Sequence, residues 1–354
     1  MAVIAVLAAT LWPFNPFPRN RVHWLGDANG IGFDRPGVVI SKAPLLAAEN
    51  SALQSCALEI LLKPAALSSL STIANFYTAK NPGQFLLRQW RDGLLVSHDI
   101  LGGNHQAKRS KIDVDHAFQV GKSVLLTIVS GANGTVVYTN GRQAEFFPGF
   151  RILPNELAGQ IVIGTAAADY QPWAGEVRAL AIYSDELTPD QVFQHYKSWT
   201  DPPGVGPGDG SDAVALYSFT ELKGREIHNA VASAPDLEIP KNFEIPQKAL
   251  LASPRKEFEP SRGYVKDLLQ NIAGFVPLGF VFYSYLMSTR SPGKAILYAI
   301  VTAGTLSFTI EVLQAYIPQR NSGTTDIITN SLGAAIGAVL AWSSAARRFL
   351  EKEG

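Results

Sequence analysis

The chain has 354 residues, which suits two domains better than one, and its 30 basic residues balance 30 acidic ones. The chain therefore has no excess of positive charge that would attract nucleic acid, and nucleic-acid binding is not expected. The one cysteine, Cys56, excludes an internal disulfide, and its apolar neighbours predict a buried thiol.

The first apolar segment is MAVIAVLAATLWPF, residues 1–14. It is short for a membrane span, it lacks a basic start, and no convincing cleavage site precedes the prolines that follow it. We interpret residues 1–14 as a thin first transmembrane helix rather than a signal peptide. The alternative is that the natural start lies upstream.

Residues 19–200 alternate short β-rich runs with turn signals at roughly ten-residue spacing, as in ALEILLK, TIANFYT, QFLLRQW and SVLLTIV. This pattern predicts an antiparallel β-sandwich. Asn133-Gly134 and Asn140-Gly141 are strong signals for tight hairpin turns. Thr188-Pro189 predicts the start of a short helix, with a cap followed by a first-turn proline.

The end of this region reads WAGEVRALAIYSDELTPDQVFQHY, a strand that leads into a short helix. Together with LLTIVSGANGTVVYTNGRQ and IVIGT, it resembles the laminin G-like, concanavalin A-type jelly roll. The resemblance implies a domain that often holds carbohydrate, sometimes with calcium, and that elsewhere serves as an adhesive or spacer module. Fold alone does not choose between these roles.

Aromatic side chains beside polar loop residues suit sugar faces. The candidate ligand-binding residues are Trp90, Asp92, Tyr170 and Trp173. The alternative is that Trp173 belongs to the core and that Arg91-Asp92-Gly93 is only a turn. The cofactor expectation is none. Asp27, Asn29 and Asp34 are weak calcium candidates, because such residues in turns usually cap their own backbone.

Residues 201–212, DPPGVGPGDGSD, are predicted to be a Pro/Gly linker. The following segment resembles the opening strands of a second sandwich or a completing piece of the first. Because no further repeat follows, we interpret residues 213–262 as a β-rich stalk.

The region 263–354 contains three long apolar segments, residues 271–287, 295–317 and 327–346. Each approaches the length that crosses a hydrocarbon core of about 30 Å at about 1.5 Å per residue. With residues 1–14 they predict a four-helix transmembrane bundle. The basic residues Arg290, Lys294, Arg347 and Arg348 place the second loop and the C-terminal tail in the cytoplasm, and therefore the β-sandwich outside.

Polar residues interrupt these apolar segments at one end of the helices. Pairs three or four residues apart share a helix face. An ionised carboxylate at the centre of a span costs about 2.5–3.5 kcal/mol, so Glu311 needs an explanation. Either it pairs with Arg320 or is protonated and locks the bundle, or it helps to form a small polar pocket. The predicted polar membrane site comprises Asp267, Asn271, Glu311, Gln314, Arg320, Asp326 and Asn330.

DLLQNIAGFVPLGF followed by SFTIEVLQAYIPQRNSGTTDIITNSLGAAIGAVLA resembles the VanZ-like membrane family. The resemblance covers about 90 C-terminal residues, and TLWPF near the start matches the end of the family's first helix, so the sandwich is inserted after that helix. Asn271, Glu311, Gln314, Arg320, Asp326 and Asn330 carry over as motif positions without assigned roles. The loop before Asp326 lacks an additional acid that the family often carries.

Three functions remain open. The favoured one is a multi-pass protein of the bacterial cytoplasmic membrane with an external lectin-like domain, and the resemblance implies an accessory role in envelope biogenesis or in resistance to glycopeptides such as teicoplanin. The second is an enzyme that acts on a lipid-linked envelope precursor through Glu311, Arg320 and Asp326. The third is an adhesive or structural anchor. The absence of common enzyme motifs disfavours catalysis, and the expected partners are lipid bilayer and glycan.

Overall fold

The computed structural model describes residues 7–8, 10–26, 28–45, 54–67, 69–101, 107–201, 213–258 and 260–353. The chain divides into two compact units. One comprises residues 18–248, and the other comprises residues 1–17 and 249–354. Residues 202–212 of the predicted linker, most of residues 1–9 and the calcium candidate Asp27 lie outside the described residues.

The first sheet of residues 18–248 contains eight strands in the order β1-β2-β13-β4-β9-β10-β11, with β14 paired to β13. Neighbouring strands are antiparallel. Their bounds are β1 Val22–Trp24, β2 Ile31–Phe33, β4 Cys56–Pro64, β9 Val124–Gly131, β10 Gly134–Thr139, β11 Arg142–Phe147, β13 Gly175–Tyr183 and β14 Ala213–Tyr217.

The second sheet also has eight antiparallel strands, in the order β15-β16-β3-β12-β5-β6-β7-β8. A short 3-10 helix, Pro154–Leu157, precedes β12. The strand bounds are β3 Val39–Ser41, β5 Leu70–Thr78, β6 Asn81–Trp90, β7 Gly93–Leu101, β8 Ala107–Val114, β12 Gln160–Ile163, β15 Glu226–Ile227 and β16 Leu237–Glu238.

Alternating apolar residues from both sheets form the main core, so the predicted β-sandwich is confirmed. The two Asn-Gly pairs join β9 to β10 and β10 to β11, as predicted. At the second turn Asn140 and Gly141 have φ angles of 52° and 74°, the left-handed conformation that a tight hairpin requires. Helix α1, Pro189–Thr200, begins where the sequence predicted it, with the Thr188 hydroxyl accepting a hydrogen bond from the Gln191 N–H.

The segment after the linker is not a separate stalk. Strand β14 pairs with β13 in the first sheet, and β16 pairs with β3 in the second. The segment therefore completes the sandwich, and the compact unit ends at residue 248. Sequence pattern alone left this choice open, because strands this short bury little surface by themselves, and β3, the partner of β16, lies far earlier in the chain.

The other unit contains a four-residue helix and three helices that are long and apolar enough to cross a membrane. The three helices begin earlier than predicted, because polar first turns precede each apolar segment. Three of the four predicted spans are therefore long apolar helices in the structure. Residues 1–14, the fourth predicted span, are described only in part. The bounds are α2 Pro254–Glu257, α3 Arg262–Leu286, α4 Pro292–Ala315 and α5 Thr324–Glu353.

Small residues bring α5 against α3. A Cβ atom added at Gly333 or Gly337 would meet the backbone carbonyl of Ile272 or Val276 within 2.2 Å. Gly279 on α3 is equally close to the backbone of Ala334. The face of α5 that carries Gly333 and Gly337 therefore packs closely on α3.

Candidate functional sites

The first turn of α5 receives two carboxylates from neighbouring segments. The Gly323 N–H donates a hydrogen bond to Glu311 Oε2 at 2.8 Å, and the Thr325 N–H donates to Glu257 Oε2 at 3.1 Å. The Thr325 hydroxyl also donates to Glu257 Oε2, at 2.6 Å. Backbone N–H groups at the start of a helix lack partners within the helix, so these carboxylates satisfy them.

Glu257 is a site residue that the sequence analysis missed. It lies in α2, before the apolar segments, and no local pattern indicates that it folds over the start of α5. Its carboxylate lies against Gly323 so closely that a Cβ atom there would overlap Glu257 Oε1. Glycine is therefore required at position 323 as long as Glu257 keeps this position.

Two amides extend the cluster between the helices. Asn271 Nδ2 of α3 donates to Asp326 Oδ1 at 2.7 Å, and Asn330 Nδ2 donates to Ser307 Oγ of α4 at 2.9 Å. Asn330 is 5% exposed, and its Oδ1 atom has no hydrogen-bond partner among the described residues. The structure thus brings together four predicted residues, which are Asn271, Glu311, Asp326 and Asn330.

Gln314 and Arg320 take a different position from the one predicted. Gln314 Nε2 donates to the Thr10 carbonyl at 3.0 Å, and an Arg320 terminal nitrogen donates to the Trp12 carbonyl at 2.6 Å. The Glu311–Arg320 ion pair, one of the alternatives left open by the sequence, does not form among the described residues. Both side chains instead hold the N-terminal segment, because its carbonyl groups leave helical geometry near Trp12 and need donors.

Asp267 is a third predicted site residue that stays apart from the cluster. Its side chain is exposed on the second turn of α3, because this helix begins at Arg262 rather than near residue 271. It influences Asp326 only electrostatically.

A second candidate site lies on the outer face of the second sheet, the face turned away from the main core. On β6, Phe85 and Leu87 point into the core, so Arg88 and Trp90 lie on the outer face. The Trp90 ring is 52% exposed, whereas Arg88 is 5% exposed. An aromatic ring and a guanidinium group therefore share one strand face.

Charged groups surround Arg88 on this outer face. Its terminal nitrogen donates to the Ser97 hydroxyl, and its Nε atom is buried without a partner among the described residues. Burial lowers the pKa of Arg88, and the positive charge of Arg109 lowers it further. Arg109 is held by Asp99 through two hydrogen bonds of 2.7 and 2.9 Å, which raise the pKa of Arg109.

Asp92 lies two residues after Trp90, in the turn between β6 and β7. Its Oδ2 atom is 2.6 Å from His116 Nδ1. This hydrogen bond lowers the pKa of Asp92 and raises that of His116. Trp90, Asp92 and His116 thus form an exposed aromatic and charged group at one end of β6.

The other two sandwich candidates lie elsewhere. Trp173 is fully buried, packs edge-on against Phe33, and donates from Nε1 to Gln89 Oε1 at 2.8 Å. Trp173 therefore belongs to the core and cannot contribute its ring to a surface site. Tyr170 packs edge-on against Phe243 in a separate apolar cluster. Sequence spacing could not separate an exposed tryptophan from a buried one.

The calcium candidates do not form a ligand set in the described part of the chain. Asn29 lies in the turn between β1 and β2, and Asp34 Oδ2 is 3.7 Å from His23 Nδ1. No group of three His, Cys, Asp or Glu side chains there is placed to hold a metal ion.

A buried polar network in the sandwich was also missed. Glu59 Oε2 accepts hydrogen bonds from the Tyr183 hydroxyl at 2.9 Å and Trp199 Nε1 at 3.2 Å, and it lies 3.1 Å from His195 Nδ1. The Thr127 hydroxyl donates to the other oxygen at 3.1 Å. The network joins α1 to three strands of the first sheet. A lone acid inside the apolar run CALEILLK was the signal that could have found it.

Two family models match the chain. The concanavalin A-like lectin/glucanases superfamily model matches residues 43–193, and the VanZ/LLP1 model matches residues 216–346. The chain therefore combines a concanavalin A-like domain with a VanZ-like region. The VanZ-like match and the three apolar helices indicate a membrane protein. The comparison with curated proteins gave no match.

Several solved structures are similar to part of this chain at low identity. A candidate carbohydrate binding protein from Bacteroides ovatus is 16% identical, with a TM-score of 0.42 and coverage of 62% of each chain. The SAP-like pentraxin from Limulus polyphemus is 16% identical, with a TM-score of 0.38 and coverage of 63% of this chain and 93% of the pentraxin. The receptor binding domain of botulinum neurotoxin D is 17% identical, with a TM-score of 0.37 and coverage of 50% and 46%. The chain thus spans less than two thirds of the Bacteroides protein and of the toxin domain.

Proposed function

We propose that this chain is a multi-pass protein of a bacterial cytoplasmic membrane whose β-sandwich lies outside the cytoplasm and binds a glycan of the envelope or the extracellular space. The observation that carries the proposal is the half-exposed Trp90 ring, with the Asp92–His116 pair beside it. Aromatic faces stack on the apolar faces of sugar rings, and charged groups bond to their hydroxyls. The Arg88 strand face and the concanavalin A-like match agree with this role.

The orientation rests on the positive-inside rule. The loop after α3 contains Arg290, with Lys294 just beyond it, and the tail contains Arg347 and Arg348, whereas the loop between α4 and α5 contains only Arg320. We place the loop between α3 and α4 and the C-terminal tail in the cytoplasm, and the sandwich outside.

Residues 1–14 supply a fourth span in this proposal. Leu7 and Leu11 pack against the apolar cluster of the helices, and the bonds from Gln314 and Arg320 reach the same segment. These contacts support a four-helix membrane domain that is interrupted by the sandwich after its first helix. Its role in the cell would be accessory to envelope biogenesis or to glycopeptide resistance, as the VanZ-like region implies.

Two alternative functions, catalysis and structural anchoring, assign different roles to the polar residues of the helices. Catalysis on a lipid-linked precursor through Glu311, Arg320 and Asp326 is less well supported, because Arg320 bonds to the Trp12 carbonyl and forms no ion pair with either carboxylate among the described residues. A structural anchor gains support from the Glu311–Gly323 bond, which joins α4 to the start of α5.

A glycan array tests the proposal. The full-length protein in detergent and the sandwich alone, residues 19–248, would be screened with and without calcium. We expect both to bind the same glycans, and Trp90→Ala to abolish this binding. The matched control is Phe146→Ala, because Phe146 is a 44% exposed aromatic residue on the other sheet. Absence of binding by both proteins at high concentration would refute the glycan proposal.

A further inference from the structure

Three carboxylates near the start of α5 each have an oxygen atom without a hydrogen-bond donor among the described residues. Each of three carboxylates uses one oxygen in the bonds already described, namely Glu257 Oε2, Glu311 Oε2 and Asp326 Oδ1. Their second oxygens accept no hydrogen bond from the described residues. These carboxylates are called the α5 acceptor cluster here.

Asn330 gives an independent indication that a donor is missing. It lies one turn after Asp326, and its partner Ser307 lies one turn before Glu311, so the Asn330 amide connects α4 and α5 about one helical turn from the two carboxylates. Its Oδ1 atom is buried and without a partner among the described residues. An unsatisfied buried acceptor is costly, and a bound donor would remove this cost.

The charges around the cluster are of one sign. The groups that act on Glu311 are Asp326 and Glu257, and those that act on Asp326 are Glu257 and Asp267. Among the described residues, neither Glu311 nor Asp326 forms an ion pair with Lys, Arg or His. Like charges so close together favour a bound cation.

We propose that the α5 acceptor cluster, with Asn330 Oδ1, binds a primary ammonium group. A metal ion needs several oxygens converging at about 2.0–2.6 Å, and the described residues offer no such group. An ammonium group donates three hydrogen bonds at about 2.7–3.2 Å and therefore suits acceptors that are spread more widely. The partly exposed Asp326 gives access from the end of the helices, where lipid headgroups lie.

The ammonium group has two sources, an ethanolamine phospholipid or a soluble amine. The proposal goes beyond glycan binding and does not depend on it, because the sandwich and the helices are separate units. A negative glycan array would therefore not refute the ammonium proposal. Failure of the ammonium proposal would likewise not refute glycan binding.

The test measures lipids retained by the full-length protein after reconstitution with equal parts of phosphatidylethanolamine and phosphatidylcholine. We expect the wild-type protein to retain phosphatidylethanolamine in roughly tenfold preference, as a charge-assisted hydrogen bond would give. Asp326→Asn and Glu311→Gln should abolish the preference. Asp267→Asn is the comparison variant, because it removes the same charge from an exposed position on α3 that forms none of the hydrogen bonds of the cluster, so it should weaken the preference far less than Asp326→Asn.

A competition arm identifies the source of the amine. If excess ethanolamine displaces the lipid and excess choline does not, the site takes soluble primary amines. If neither displaces it while the lipid preference persists, the site takes the lipid headgroup. Equal retention of both lipids by wild type, or a preference that survives Asp326→Asn, would overturn the proposal. If Glu311→Gln is not recovered as a monodisperse protein, Asp326→Asn decides the result alone.

Discussion

Glu311 Oε2 accepts a hydrogen bond from the Gly323 N–H at 2.8 Å, across the loop that connects α4 to α5. This bond explains why an otherwise apolar helix contains a carboxylate that is 1% exposed. The carboxylate satisfies a backbone group that water cannot reach, and it leaves its second oxygen free. One residue thus has a structural role and remains available to a ligand.

The Glu311–Gly323 bond predicts different outcomes for two substitutions. Glu311→Gln keeps an oxygen that can accept from Gly323, so it should lower the melting temperature only slightly. Glu311→Leu leaves the N–H buried and unpaired, which should cost about 1–3 kcal/mol of folding free energy. Thermal unfolding of the purified protein in detergent measures both. Equal melting temperatures for the two variants would contradict the assignment.

Gly323→Ala should destabilise the helical unit by about 1–3 kcal/mol, because the new Cβ atom would displace the Glu257 carboxylate from its hydrogen bonds with Thr325. The same substitution should cost less in a Glu257→Ala background, since the obstructing group is gone. Gly274→Ala is the control. Position 274 on α3 has open space around it, so alanine should stabilise the helix by about 0.5–1 kcal/mol. Additive effects of Gly323→Ala and Glu257→Ala in thermal unfolding would argue against the close contact.

Glu59→Gln should destabilise the sandwich by about 3–5 kcal/mol, because it removes the charge on which several buried donors converge. Urea unfolding of residues 18–248 is the measurement. Glu145→Gln, an exposed position on β11, is the control and should change stability by less than about 0.5 kcal/mol. Similar values for the two variants would show that the network contributes little.

The Asp92–His116 pair should make a pH-dependent contribution to the folding stability of the sandwich. The pKa of His116 is raised above 6.5, so its contribution is complete below about pH 6.5 and is lost as the pH rises through the folded value. The pKa of Asp92 is lowered below 3.8, so its contribution is present above about pH 3.8 and is lost as the pH falls through the folded value. An NMR titration of His116 should show a pKa above 6.5 that falls toward 6.5 in Asp92→Asn. An unchanged value in that variant would exclude the pair as the cause.

Local signals in the sequence predicted the strands, the two Asn-Gly turns, the Thr188 cap and the three apolar helices. These features depend on residues close together in the chain. Glu257 and Glu59 were missed because their partners are 68 or more residues away. The partner of Arg320, the Trp12 carbonyl, was not among the alternatives considered, because sequence patterns do not show carbonyl positions.

Burial also limited the prediction of the sandwich site. Trp90 and Trp173 have the same chemistry, yet one ends β6 on the outer face and the other lies in the core. The alternation of β6 assigns the faces only once Phe85 and Leu87 are known to point inward. The segment with β14, β15 and β16 was interpreted as a stalk because β16 pairs with β3, which is distant in sequence and leaves no local signal.

We expect the sandwich and the helical cluster both to be needed for one function in the cell envelope. The most direct measurement is growth of a deletion strain under envelope stress, including glycopeptides, after complementation at equal membrane abundance. The wild-type protein, Phe146→Ala and Asp267→Asn should restore growth, whereas Trp90→Ala and Asp326→Asn should fail. Full complementation by Trp90→Ala and Asp326→Asn would contradict the claim, because neither site would then be needed.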